Sequence, residues 1–193
     1  MGPDPSGTTL LAAEDLEGLI PRHVTTRAQL DELEEQNILE CRAWIRSARA
    51  RPDPLDYVAV LTLHRRMFGS TWRWAGTLRT RETNIGVAPS RIATYLRQLL
   101  DNLRHRAPED KGGIDAFAVE YHHRMVAIHP FANGNGRHAR LAADLLLAAN
   151  GAEPFSWGRA TLGAVGLARD RYLEALRAAD GGSYAKLSAF VRS

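Results

Sequence analysis

The sequence predicts an all-α fold, a helical bundle with one short β-hairpin. Apolar residues recur at the three-to-four-residue spacing of amphipathic helices through most of the chain. Leu141 to Ala149 is a nearly unbroken apolar run, the pattern of a central, mostly buried helix. Residues 69–91 break this rhythm. Their threonines, asparagine, glycines and proline make a poor helix and read as a short hairpin or extended flap.

The elements follow in order. Residues 1–9 hold prolines and glycines without periodicity and read as a mobile lead-in. Thr25 or Thr26 caps a helix running to about Arg49, with Leu30, Leu33, Asn37, Ile38, Cys41, Trp44 and Ile45 on one side. Arg51-Pro52-Asp53-Pro54 ends it. A second helix runs from about Leu55 to Phe68. After the hairpin, Ser90 caps a helix to about Leu103. Beyond a polar loop from His105 to Gly113, Ile114 or Asp115 starts another, with Phe117, Ala118, Tyr121, Met125 and Ile128 on its stripe. The buried helix closes at Asn150-Gly151, a pair suited to a left-handed cap. One helix near 160–179 and a short one near 183–191, separated by Asp180-Gly181-Gly182, complete the chain.

Composition narrows the function classes. A chain of 193 residues, 45% hydrophobic and 24% charged, suits one globular domain. No run is long enough to span a bilayer, and Leu10-Leu11-Ala12-Ala13 is too short for a secretory signal. The opening Met1-Gly2-Pro3-Asp4-Pro5-Ser6 fits a loose myristoylation pattern and is read as chance. The single cysteine, Cys41, builds neither a disulfide nor a zinc cluster, so the expected setting is cytoplasmic and the thiol belongs to the core. A net charge of +3 is too small an excess to point strongly to nucleic acid, and Arg42, Arg46 and Arg49 share what reads as a solvated helix face.

The chemistry concentrates in His129-Pro130-Phe131-Ala132-Asn133-Gly134-Asn135-Gly136-Arg137-His138-Ala139-Arg140. Gly134 and Gly136 let a phosphate approach the backbone. A helix starting near Asn135 or Gly136 aims free N–H groups and its dipole at that phosphate. Arg137 and Arg140, three apart, project from similar faces and match a polyphosphate. His129 is a suitable general base near pH 7. No Gly-rich loop ending in Gly-Lys-Ser/Thr occurs, which argues against an ordinary P-loop enzyme.

This segment closely resembles the motif of the Fic (Fic/DOC) family, His-x-Phe-x-Asp/Glu-Gly-Asn-Gly-Arg-x-x-Arg, at every fixed position but one. Trp74-Ala75-Gly76-Thr77-Leu78-Arg79 with Thr83-Asn84-Ile85 resembles the family's flap hairpin, and Tyr172 to Asp180 its closing helix. The whole chain, including Glu35-Gln36-Asn37-Ile38, also resembles the subgroup called mobile mystery protein B. The resemblance implies a Fic-like bundle divided into a lead-in over 1–24, a candidate regulatory helix over 25–50 and a catalytic domain over 51–193. It implies transfer of AMP from ATP to a Ser, Thr or Tyr hydroxyl of a target protein. His129 would be the general base, and Phe131 the anchor of the loop. Gly134, Asn135 and Gly136 would cradle the phosphates, with Arg137 and Arg140 on the β- and γ-phosphates. Thr83, Asn84 and Ile85 would clamp the target segment by strand-like pairing. Mg²⁺ or Mn²⁺ would accompany the ATP. The subgroup also implies a helix-turn-helix partner protein; neither a membrane nor a nucleic acid is expected as partner.

The departure is Asn133, where the family carries Asp or Glu for the metal. Asn133 offers the metal a neutral carbonyl oxygen, which leaves open weaker metal binding, a different phosphate pose or donor, or a nucleotide-binding regulator without turnover. The retained Gly136-Arg137 favours nucleotidyl over kinase-like transfer. Many relatives carry an inhibitory glutamate that pairs with the second arginine of the motif. Glu34 and Glu35 are the nearest candidates here, against a plain reading as a solvated acidic face.

Overall fold

The computed structural model describes residues 17–47, 52–106, 113–158 and 165–193. The lead-in at 1–9, Arg49 and the first residues of the helix expected near 160 lie outside them. Among the described residues the chain forms helices α1 (Arg27–Ser47), α2 (Tyr57–Phe68), α3 (Pro89–Arg104), α4 (Gly113–Ile128), α5 (Asn135–Ala149), α6 (Val165–Asp180) and α7 (Ala185–Val191). None of them is long and apolar enough to cross a membrane.

The expected buried helix is α5. Leu141, Ala142, Ala143, Leu145, Leu146 and Leu147 are all buried, so its apolar surface meets neighbours on several sides. Its main neighbour is α4, with α2 also against it, and α1 packs on α2 at one flank. At the other, α6 and α7 pair, and α7 also touches α4. Local signals start and stop these helices. The Asp56 carboxylate accepts from the Ala59 N–H at 2.8 Å and caps α2. Pro89, lacking an N–H, opens α3 in place of the expected cap: Ser90 lies inside the first turn, and Ala88 precedes it. Gly151 adopts φ +72° and closes α5. Cys41 is 2% exposed, and burial pushes its thiol up to about 11, so it is a core residue.

The β-hairpin expected at 69–91 does not form. Among the described residues there is no β-strand, and the β-type contact present is an isolated bridge between Leu19 and Trp72. The backbone groups that a hairpin would pair across two strands find other partners. The Arg79 N–H donates to Pro130 O at 2.9 Å and the Val87 N–H to Ile128 O at 3.3 Å. The Arg81 and Val87 carbonyls accept from the Arg79 side chain, and Ile85 O accepts from Thr83 Oγ1 at 2.6 Å. With these groups committed elsewhere, no ladder is left to build, and the segment is an irregular loop clipped onto residues 128–130.

Candidate active site

The site grows from the link between α4 and α5. Pro130 cannot continue a helix, and His129 adopts φ +55°, a left-handed conformation that costs energy for a residue with a Cβ. The surrounding structure holds it there. The His129 N–H donates to Met125 O at 3.2 Å, and its carbonyl accepts from Arg79 Nε at 2.7 Å. Its Nδ1 lies 3.2 Å from Val126 O, a contact that requires Nδ1 to carry the proton, so Nε2 is the basic nitrogen. His129 as a whole is 3% exposed. Burial, helped by the Arg79 charge, lowers its pKa to about 4, so the imidazole is neutral at pH 7.

Phe131 anchors the loop as expected, fully buried and stacked on His64 with centroids 3.7 Å apart. His64 also joins three segments. Its Nε2–H donates to Asn133 O at 3.0 Å, while its Nδ1 accepts from the Gly76 N–H at 2.9 Å, which fixes the tautomer. Burial keeps this ring neutral by lowering its pKa well below the ordinary value. Asn135 closes the loop from within: Oδ1 accepts from the Phe131 N–H at 2.9 Å, and Nδ2 donates to Phe131 O at 2.8 Å.

The two glycines differ in kind. Gly134 takes φ +75°, and a Cβ there would lie 2.6 Å from the Phe68 ring. Gly136 is helical, and a Cβ there would meet nothing nearer than Tyr172 Oη at 3.9 Å. The backbone at Gly136 therefore faces open space at the start of α5, where N–H groups and dipole favour an anion. The Gly134 N–H, expected in the same cradle, already donates to Asn133 Oδ1.

The two arginines diverge. Arg137 lies over Phe68, 5.0 Å from guanidinium carbon to ring centroid, and its Nη1 is 2.6 Å from Glu34 Oε2. Arg140 lies over Tyr172 at 4.4 Å and Trp157 at 5.7 Å, and its buried Nε has no hydrogen-bond partner among the described residues. Glu34 is buried and also accepts from Trp72 Nε1 at 2.6 Å, whereas Glu35 is exposed. The solvated acidic face thus holds for Glu35 and fails for Glu34. The pairing reaches the first arginine of the motif rather than the second.

Thr83, Asn84 and Ile85 lie on the irregular loop, with Ile85 40% exposed. Gly86, φ +107°, passes so close that a Cβ there would sit 2.5 Å from His129 Cβ. A protein-held divalent cation does not fit the described residues. None of them forms a group of three His, Cys, Asp or Glu able to hold a metal, and the side-chain oxygen at position 133, Asn133 Oδ1, is a neutral amide engaged with the Gly134 N–H. Sequence reasoning missed His64, Arg79 and Trp72. Each acts through partners far away in the chain, and a helical stripe or a flap signature gives no signal of that.

Residues 54–147 match the profile of the Fic/DOC family. A protein adenylyltransferase, fic-1, of Caenorhabditis briggsae is 33% identical over 100 residues, covering 49% of this chain and 20% of that protein. A Fido domain-containing protein of Dictyostelium discoideum is 32% identical over 96 residues, half of this chain and 62% of its own length. This chain thus spans about a fifth of the nematode relative and under two thirds of the other. The BepC effector structure from Bartonella tribocorum, solved with AMPPNP, shares the fold with a TM-score of 0.70 at 17% identity, over 94% of this chain and 97% of that one. The Caenorhabditis elegans Fic-1 structure gives a TM-score of 0.67 at 22% identity, over 91% and 50%.

Proposed function

We propose that this chain is a member of the Fic/DOC family, whose model matches residues 54–147, and a protein adenylyltransferase, moving AMP from ATP to a hydroxyl side chain of a target protein. His129 Nε2 takes the proton of the target hydroxyl. The oxygen bonds to the α-phosphorus, the bond from that phosphorus to the bridging oxygen breaks, and pyrophosphate leaves. Gly136 and the start of α5 receive the phosphates, with Arg137 and Arg140 neutralising them. The loop around Thr83, Asn84 and Ile85 receives the target. Residues 51–193 form the catalytic part, and the helix within 25–50 regulates it through Glu34.

The observation that carries this reading is the 129–140 loop, which joins a neutral, immobilised imidazole to a helix start whose Gly136 backbone has open space before it. Incubation of the purified protein with mixed nucleotides, followed by mass spectrometry, tests it. A protein-bound AMP that disappears in His129→Ala supports the reading; no nucleotide adduct on protein under any condition, including with Glu34→Gly, removes it.

A second reading keeps nucleotide binding but drops turnover or changes the group transferred. Asn133 favours it, because a divalent ion travelling with the triphosphate finds no carboxylate there to fix the phosphate pose. Tight ATP binding without transfer would decide for it.

A further inference from the structure

Arg79 is the least expected buried charge in the molecule: it is 6% exposed, and burial lowers its pKa. Its guanidinium hydrogen-bonds three main-chain carbonyls, those of His129 through Nε at 2.7 Å, Arg81 through Nη1 at 2.8 Å, and Val87 through Nη2. Its own N–H donates to Pro130 O at 2.9 Å. The Glu82 carboxylate acts on this guanidinium through charge, while the hydrogen bonds described for it all go to carbonyls, which gain less than a bonded carboxylate pair, so this arrangement is a weak device for stability alone. Its geometry has another consequence. Two of the three carbonyls bracket residues 82–86, and the third belongs to His129 itself. The planar fork of donors fixes their relative positions as no flexible cation does. Gly86 packs so tightly beneath it that a Cβ there would lie 2.7 Å from Arg79 Nη2 and 2.5 Å from His129 Cβ.

We propose that Arg79 is a positioning residue that fixes the segment receiving the target and the backbone of the general base in one frame. The proposal rests on the reading of His129 as base and of residues 83–85 as the target-docking segment. The nucleotide cradle lies outside the fork, since Gly136, Arg137 and Arg140 make no contact with Arg79 among the interactions described. Arg79 therefore acts on the attacking side of the reaction and leaves the donor side alone. A misplacement of about 1 Å between nucleophile and base is enough to cost on the order of a hundredfold in rate.

The test uses the full chain with Arg79→Met and Arg79→Lys. Arg79→Met keeps the aliphatic stem and removes every donor. Arg79→Lys restores a charge and three donors without the planar spread. Nucleotide affinity, measured by calorimetry with ATP, is expected to stay within about twofold of wild type in both. Transfer to target is expected to fall about a hundredfold in Arg79→Met, through kcat and target KM together, with ATP KM unchanged. Arg79→Lys is expected to recover melting temperature but little of the rate. Two readouts hold even if no transfer is found in wild type. Amide exchange over residues 81–88 is expected to rise in both variants relative to α4 and α5, and the His129 ring resonances, assigned with His129→Ala, are expected to shift. Unchanged exchange and an unchanged His129 signal in Arg79→Met overturn the proposal. So does a rate loss that follows melting temperature alone and is rescued by lysine. Absence of transfer in both wild type and Glu34→Gly, with the expected exchange and ring shifts, overturns the transferase reading and leaves the Arg79 frame standing.

Discussion

The Glu34 carboxylate lies 2.6 Å from the Arg137 guanidinium, with side-chain exposures of 5% and 37%. One partner stands on the N-terminal helix and the other in the first turn of α5. Trp72 Nε1 donates to the second carboxylate oxygen, and Asn37 on the same helix donates to Thr71 Oγ1 at 2.6 Å and accepts from Ser70 Oγ at 2.7 Å. The helix is thus tied to the 70–72 turn while its glutamate occupies an arginine proposed for phosphate.

Removing that carboxylate is expected to free Arg137. A charge-assisted hydrogen bond to phosphate is worth about 1.5–3 kcal/mol, so Glu34→Gly should tighten nucleotide binding by about tenfold or more. Glu35→Gly, at an exposed position, should change it little. Calorimetric titration of ATP into the two variants and wild type separates them; equal affinities in all three would deny Glu34 a blocking role.

Trp72→Phe keeps most of the packing and removes the indole donor. The expected cost is about 1–3 kcal/mol, because Glu34 then keeps a buried oxygen without its partner. Urea denaturation measures this loss. Nucleotide affinity should shift in the same direction as in Glu34→Gly, by less.

The glycines give a contrast that one assay resolves. Gly134→Ala places a Cβ against Phe68 in a left-handed conformation and should destabilise by about 1–3 kcal/mol. Gly136→Ala has room and a helical backbone, so its stability should stay equal or rise by up to about 1 kcal/mol. Its methyl nevertheless enters the phosphate cradle. Thermal unfolding with and without ATP should therefore show a lower melting point for the first variant, and for the second a normal melting point that ATP no longer raises.

Burial sets the pH response. The folded-state pKa falls to about 4 for His129 and His138 and to about 3 for His122, against an ordinary 6.5. Between those values and 6.5 the unfolded chain binds more protons than the folded one. Stability therefore rises with pH through this window and is lost as pH falls through it, by up to about 1.4 kcal/mol per pH unit for each histidine. Urea midpoints at pH 7, 6 and 5 should drop steadily, and His138→Gln should flatten the curve. The acidic limb of any transfer activity should lie below pH 5.

Asn133→Asp supplies the missing carboxylate. ATP binding in the variant should gain a dependence on Mg²⁺ of about tenfold that wild type lacks. Titrations with and without a chelator measure it, and identical metal dependence in both proteins would show that position 133 does not govern the cation.

The helices were legible because their causes are local. The stripe on α4, the apolar run of α5 and the Asn150-Gly151 stop are written within a few residues of where they act. The 129–140 loop was legible for the same reason: a proline after a histidine, and glycines where the backbone must turn or stand open. Other features depend on residues far apart in sequence. Glu34 looked like one of two surface acids until packing of the first helix on the 70–72 turn buried it against Arg137. Residues 69–91 carry hairpin chemistry, yet their carbonyls and N–H groups are claimed by Arg79 and by residues 128–130, which local pattern cannot register. Periodicity and turn chemistry are short-range properties, so the helical bundle and the chemical inventory of the loop can be read along the chain. Tertiary structure alone decided which glutamate meets which arginine, and that the flap is clipped to the base rather than paired with itself. Those outcomes depend on which buried donor reaches which acceptor once the chain is packed.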